Sequence, residues 1–248
     1  MTSSIPSKQF KIETVENPTE EAAKHLNDIF SRYAGKPILF LVAGGSSLKV
    51  LDFITPSYLS PDMTVTVTDE RLYEDVESNN FAILQASSFY NELIQSDTYC
   101  INTQLNPDEL PEEHRARFER NIRDWKAEYP DGVIVALYGM GKDGHTGGMI
   151  PGALSEAEFE AEYNDPKKLV GFMDAKDKNP YRLRVSTTLP FMRDWVDHAV
   201  YYITGEEKKE TLQKAAADPV SEKPNYFELP AQVMRHMKDV VVFTDIKL

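Results

Sequence analysis

Apolar residues along this chain fall into two rhythms, and the switching between them predicts a series of strands and helices. Residues 11–15 alternate in the manner of a strand. Asn17, Pro18, Glu20 and Glu21 then open a helix whose apolar positions Ala23, Leu26, Ile29, Phe30 and Tyr33 recur at helical spacing, until Gly35 and Pro37 end it. Residues 38–42 form an unbroken apolar strand, followed by the turn Gly44, Gly45, Ser46, Ser47 and a helix reaching Phe53 or Ile54. A strand over 64–67 runs onto Asp69, Glu70 and Arg71, where strand meets loop. Helices are predicted over 81–94 and 112–128, then an apolar strand over 133–138 that delivers a glycine-rich run.

Residues 153–178 are polar and offer few periodic signals on which to place an element. Beyond them the pattern predicts strands over 183–187 and 199–203 separated by a short helix over 189–195. A helix over 206–217, a loop over 218–228, a helix over 230–237 and a last strand over 240–243 complete the chain. Fully apolar strands interleaved with helices belong to sheets buried on both faces, so the expected fold is a three-layer α/β/α sandwich with an open, mostly parallel, Rossmann-like sheet. No repeat, low-complexity tract or linker divides the 248 residues, and one domain over 1–248 is expected.

Composition narrows the setting. No run approaches the roughly 18 consecutive apolar residues of a membrane span, and residues 1–14 lack the apolar core of a secretory signal. A soluble, cytoplasmic protein with no membrane partner is expected. Cys100 is the single cysteine and cannot form an internal disulfide; it reads as a small hydrophobe in a short buried segment. The net charge of -13 argues against a nucleic-acid partner, which a basic surface would have to attract. It does not exclude a small anion, because charges are screened over about 8 Å and a few cations converging in a cleft set the local potential. Oligomeric state is open, from monomer to small homo-oligomer.

Three strand ends carry unusual polar clusters. Gly44, Gly45, Ser46 and Ser47 follow a buried strand and open a helix, a geometry whose free N–H groups suit an anion; a flexible turn with a serine cap is the alternative. The spacing of a nucleotide P-loop is absent. Gly139-Met140-Gly141-Lys142-Asp143-Gly144 matches the dinucleotide fingerprint only formally, since Pro151 and Gly152 close the segment early and no strand delivers the required acid. Asp143 and His145 fit a different role, a histidine presented by a glycine-rich turn with an acid to fix its tautomer. Asp69, Glu70 and Arg71 read either as a solvated cluster or as cleft residues, with Ser78, Asn79 and Asn80 offering caps and contacts to the same loop. Arg184 and Lys208 lie near later strand ends, where a phosphate would need cations. His25, His114, His198 and His236 lack acid or cysteine partners at ligand spacing and read as surface or packing residues; no zinc motif exists among them.

Taken together these segments resemble the glucosamine-6-phosphate isomerase/6-phosphogluconolactonase family over nearly the whole chain, and its lactonase branch in particular. The carriers are 42–46, Thr68-Asp69-Glu70-Arg71 with Ser78 and Asn79, the run Gly139 to Thr146 closing at Pro151-Gly152, 184–190, 203–208, and the tail from Leu229 to Asp245. The resemblance implies hydrolysis of 6-phosphoglucono-1,5-lactone without metal or redox cofactor. His145, Asp143, Asp69 and Arg71 would be catalytic, and Gly44, Gly45, Ser46, Ser47, Arg184 and Lys208 would hold the phosphate. The isomerase branch resembles this chain less at position 150, where a ring-opening carboxylate is replaced by Ile150. An amino-sugar-phosphate isomerase or deaminase and a non-catalytic sugar-phosphate sensor are the rival readings. Ser47-Leu48 and Gly147-Gly148 depart from the family pattern, and the second pair is expected to loosen the loop beside His145.

Overall fold

The computed structural model describes residues 9–73, 78–217 and 224–248. A seven-stranded, wholly parallel sheet forms its centre: β1 (Gln9–Thr14), β10 (Asp239–Thr244), β9 (His198–Ile203), β6 (Val133–Gly139), β2 (Ile38–Val42), β3 (Met63–Val67) and β5 (Tyr99–Cys100), in that spatial order. Alternate residues of the central strands enter different cores, which is why those strands are apolar throughout. Ile38, Phe40, Val42, Val133, Val135 and Leu137 pack with α1 (Pro18–Arg32), α2 (Asn80–Gln85) and α3 (Ser88–Gln95). Leu39, Leu41, Ile134, Ala136 and Tyr138 face α4 (Pro111–Glu128), α5 (Glu156–Tyr163) and α6 (Lys209–Ala216). Among the described residues no helix is long and apolar enough to cross a membrane.

A second, antiparallel sheet of β4 (Asp69–Arg71), β8 (Leu183–Thr187) and β7 (Val170–Asp174) stands beside the first. Residues 69–71 are therefore a strand rather than the start of a loop, and 183–187 lies outside the parallel sheet. Thr68 is the switch: its N–H donates to Val42 O at 3.0 Å, while its carbonyl accepts from Thr187 N at 3.0 Å. The turn of chain at this point brings Asp69 and Glu70 to polar partners that the apolar layers of the main sheet would not provide.

Other differences from the sequence reading have local causes. The polar stretch 153–178 contains α5, opened by Ser155 and Glu158 capping each other, and β7, whose pattern is interrupted by Gly171. A side chain at 171 would meet the Tyr163 ring at 2.7 Å, so packing rather than strand propensity selects the glycine. The helix over 81–94 is two helices, because the Ser87 hydroxyl accepts from Tyr90 N and donates to Leu84 O, ending one turn and starting the next. The helix after Ser46 is a 3₁₀ segment, Gly45–Phe53, the expected helix over 230–237 is also 3₁₀, Pro230–His236, and that over 189–195 is a π-turn, Phe191–Trp195. Cys100 belongs to the short edge strand β5 between buried Thr98 and Ile101, where it packs partly buried against the core while Tyr99 is 66% exposed. The loop expected over 218–228 falls in part outside the described residues.

His198 does have an acid partner: Nδ1 lies 2.6 Å from Asp239 Oδ2 and Nε2 2.9 Å from the Tyr33 hydroxyl, at the amino end of the sheet. The acid is 41 residues away in sequence, supplied by the adjacent strand β10, so no local spacing could have revealed it.

Candidate active site

Strands β9, β6, β2 and β3 are consecutive neighbours, so the segments leaving their carboxyl ends converge on one rim. There they enclose a cavity of about 220 Å³. Gly44, Gly45, Ser46 and Ser47 line it from β2, Asp69 and Arg71 from β4, His145 from the turn after β6, Arg184 from β8 and Lys208 from beyond β9. Of the ten residues assigned from sequence, Asp143 alone is absent from the lining, and it acts on a residue that is present.

The histidine turn is built by glycines. Asp143 Oδ1 stands 2.5 Å from His145 Nδ1 and also accepts the His145 N–H at 3.2 Å, which places the proton on Nδ1 and leaves the Nε2 lone pair available. A Cβ at position 141 would lie 2.1 Å from His145 Nδ1, so only glycine there admits the ring. Gly144 has φ 85, in the left-handed region that favours glycine. Burial pushes the Asp143 carboxyl up, but its hydrogen bond and charge contact with His145 outweigh this and hold it below its ordinary value. The following pair is not loose. Gly148 N donates to Ser186 Oγ at 2.8 Å, and a Cβ at 148 would come within 3.0 Å of Ser186 Cβ.

Across the cavity, Gly45 has φ 70, which aims the backbone of the serine turn as other residues rarely could. Ser46 is exposed and Ser47 buried. Because the helix that follows is 3₁₀, the anion-binding capacity rests on the turn's own N–H groups and hydroxyls more than on an aligned α-helix dipole. A Cβ at Gly44 would overlap Asn80 Oδ1 at 2.3 Å, so the turn and the start of α2 are in direct contact.

Asp69 and Arg184 form an ion pair at 2.8 Å between Oδ2 and Nη2, both side chains almost wholly buried. The other Asp69 oxygen accepts from the Thr68 hydroxyl at 3.1 Å. Among the described residues Arg184 Nε has no hydrogen-bond partner. Burial pulls the Arg71 guanidinium down from its ordinary value, Asp69 opposing and Arg184 adding to the effect.

Two contributors, Glu70 and Asn80, belong to polar clusters visible in the sequence but carry no assigned role there. Glu70 is buried, and its carboxylate accepts from Arg71 N at 2.8 Å, Asn80 N at 2.6 Å, Phe81 N at 3.0 Å and Thr103 Oγ1 at 2.8 Å. It thereby ties the strand bearing Asp69 and Arg71 to the amino end of α2. Desolvation raises its pKa to about 7 despite those four donors. Asn80 lines the cavity, donates from Nδ2 to Asp69 O at 2.8 Å and leaves Oδ1 buried without a hydrogen-bond partner among the described residues. An asparagine pair ahead of an apolar run was the available signal, but Asn79 alone serves as the cap.

The family model described as glucosamine-6-phosphate isomerases/6-phosphogluconolactonase matches residues 12–243. The chain belongs to this family. Among solved structures it is similar to the 6-phosphogluconolactonase of Trypanosoma brucei, with a TM-score of 0.71 and 19% identity over 96% of this chain and 97% of that one. A 6-phosphogluconolactonase from Shewanella baltica aligns with a TM-score of 0.70 and 21% identity over 98% and 99% of the two chains. At these identities the likeness establishes the fold. A sequence relative, glucosamine-6-phosphate deaminase 2 of Bacillus subtilis, is 27% identical over 126 residues, a match covering 47% of this chain and 46%, about half, of the relative's length.

Proposed function

We propose that the protein hydrolyses 6-phosphoglucono-1,5-lactone to 6-phosphogluconate. The observation carrying this reading is that an acid-oriented histidine and an anion-suited serine turn line the same small cavity. His145 Nε2 takes a proton from water as the water oxygen attacks the ester carbon. The tetrahedral intermediate then collapses, breaking the bond to the ring oxygen, which receives the proton from His145. Asp143 holds the ring in the required tautomer and steadies its positive charge, and loop N–H groups support the oxyanion. A positioned acid-base group contributes about 10²- to 10⁴-fold, so the remaining acceleration comes from orientation and charge.

The phosphate lies against Gly44, Gly45, Ser46 and Ser47, with Lys208 and Arg71 as cationic partners and Arg184 organising the wall. Asp69 already neutralises part of Arg184, so Asp69 acts mainly by fixing that guanidinium. The buried Ile150 supplies no carboxylate for the ring opening that an amino-sugar isomerase requires. The substrate is a small molecule, and the acidic chain works in the cytoplasm as a monomer or small homo-oligomer without nucleic acid or membrane.

The test is decay of freshly prepared lactone, corrected for its spontaneous opening. Acceleration proportional to protein concentration is expected, and His145→Ala should remove at least about 10² of it while inorganic phosphate still binds. Ammonia release from glucosamine 6-phosphate without lactone turnover would replace this reading with the deaminase one.

A further inference from the structure

The cavity wall holds two arginines in opposite electrostatic conditions. Arg184 is paired with a buried carboxylate and so presents little net charge. Arg71 has no carboxylate within ion-pair distance among the described residues; its guanidinium instead lies over the Tyr181 ring, 4.0 Å from the centroid. Among the described residues its one hydrogen bond from the guanidinium goes to Ser78 O at 3.3 Å, and Nε is buried without a partner. A carboxylate would hold an arginine and cancel its charge together. An aromatic face holds the cation through its quadrupole and leaves the full positive charge for a third group.

Tyr181 is itself anchored so that it can serve as a platform. Its N–H donates to Asn179 Oδ1 at 3.0 Å, and Tyr73, two residues beyond Arg71, meets its ring edge-on at 6.1 Å. The Tyr73 hydroxyl donates to Pro180 O and accepts from Arg182 N at 2.6 Å, while Leu72 N donates to Leu183 O at 2.9 Å. The turn bearing Tyr181 is therefore pinned on both sides to the segment leaving β4. Tyr181 is half-buried and outside the cavity lining, so it reaches the site only through Arg71.

We propose that Tyr181 is a positioning residue: its ring face fixes the Arg71 guanidinium at the cavity wall with no carboxylate paired to it among the described residues, ready to receive the anionic group of the substrate. This rests on reading the cavity as a phosphosugar site. It divides the work between the arginines, with Arg184 organising the wall and Arg71 attracting the ligand.

The experiment compares Tyr181→Leu, which keeps apolar bulk but no ring, with Tyr181→Phe, which keeps the ring and loses the hydroxyl. Two readouts are taken on each: kcat and KM for the lactone, and inorganic phosphate binding by calorimetry, which needs no turnover. Tyr181→Leu should raise KM and weaken phosphate binding by about 3- to 30-fold with kcat little changed, and Tyr181→Phe should recover most of the loss. Wild-type KM and phosphate affinity in Tyr181→Leu would overturn the proposal, because bulk alone would then suffice. A fall in kcat with unchanged KM would also overturn it, by placing Arg71 at the reacting carbon only. If the wild-type protein opens no lactone, the functional reading fails, and the phosphate titration still decides the role of Tyr181.

Discussion

Replacing Glu70 by alanine would strip the acceptor from four donors at once: the N–H groups of Arg71, Asn80 and Phe81 and the hydroxyl of Thr103. Each buried donor left unpaired costs about 1–3 kcal/mol, and since neighbours relax together the sum falls short of additive. A loss of about 4 kcal/mol is expected, a large share of the ~5–15 kcal/mol that holds a domain together. Glu70→Gln retains one acceptor oxygen and should lose about half as much. The pH dependence separates charge from shape. Because the folded-state pKa of about 7 lies above the ordinary 4.5, the contribution of Glu70 is fully present below 4.5 and is lost as pH rises to 7. The wild-type advantage over Glu70→Gln should therefore shrink between about pH 4.5 and 7, by on the order of 3 kcal/mol at most. Urea unfolding across that range reads both quantities. Parallel stability profiles for wild type and Glu70→Gln, or an alanine variant within about 1 kcal/mol of wild type, would refute the reasoning.

Three further outcomes follow from the same geometry. Gly141→Ala would drive a methyl into the space of the His145 ring and separate it from Asp143, lowering kcat by about 10²-fold in steady-state assays while far-ultraviolet circular dichroism stays unchanged; a loss of twofold or less would remove the demand for that ring position. Arg184→Met leaves the buried Asp69 uncompensated and should cost about 3–5 kcal/mol in chemical denaturation, most of which Asp69→Asn should restore in the double variant; equal single- and double-variant losses would deny the pair. Lys208→Ala should raise KM by about tenfold with kcat retained, and the effect should weaken in high salt, since a half-exposed cation acts through a screened field. An unchanged KM at low salt would displace Lys208 from the phosphate site.

The sequence by itself determined the elements whose burial is symmetric and the turns whose backbone demands are local. Residues 38–42 and 133–138 are apolar at every position because both faces of those strands are covered, and that reads directly as a central strand. The serine turn and the histidine turn were legible because their glycines sit where a side chain would need a left-handed backbone or would strike the ring of His145. Tertiary structure alone decided how the charges are paired. Asp69 meets Arg184 across 115 residues, and His198 meets Asp239 across 41, because strands far apart in the chain turned out to be neighbours. Local pattern specifies backbone conformation, whereas the partner of a buried charge depends on which segments the packing of the whole sheet brings side by side. For that reason the sequence placed Glu70 in a polar cluster but did not show what it holds, and gave Tyr181 no signal: each acts by holding another residue, and that relation exists only once the second sheet has folded against the first.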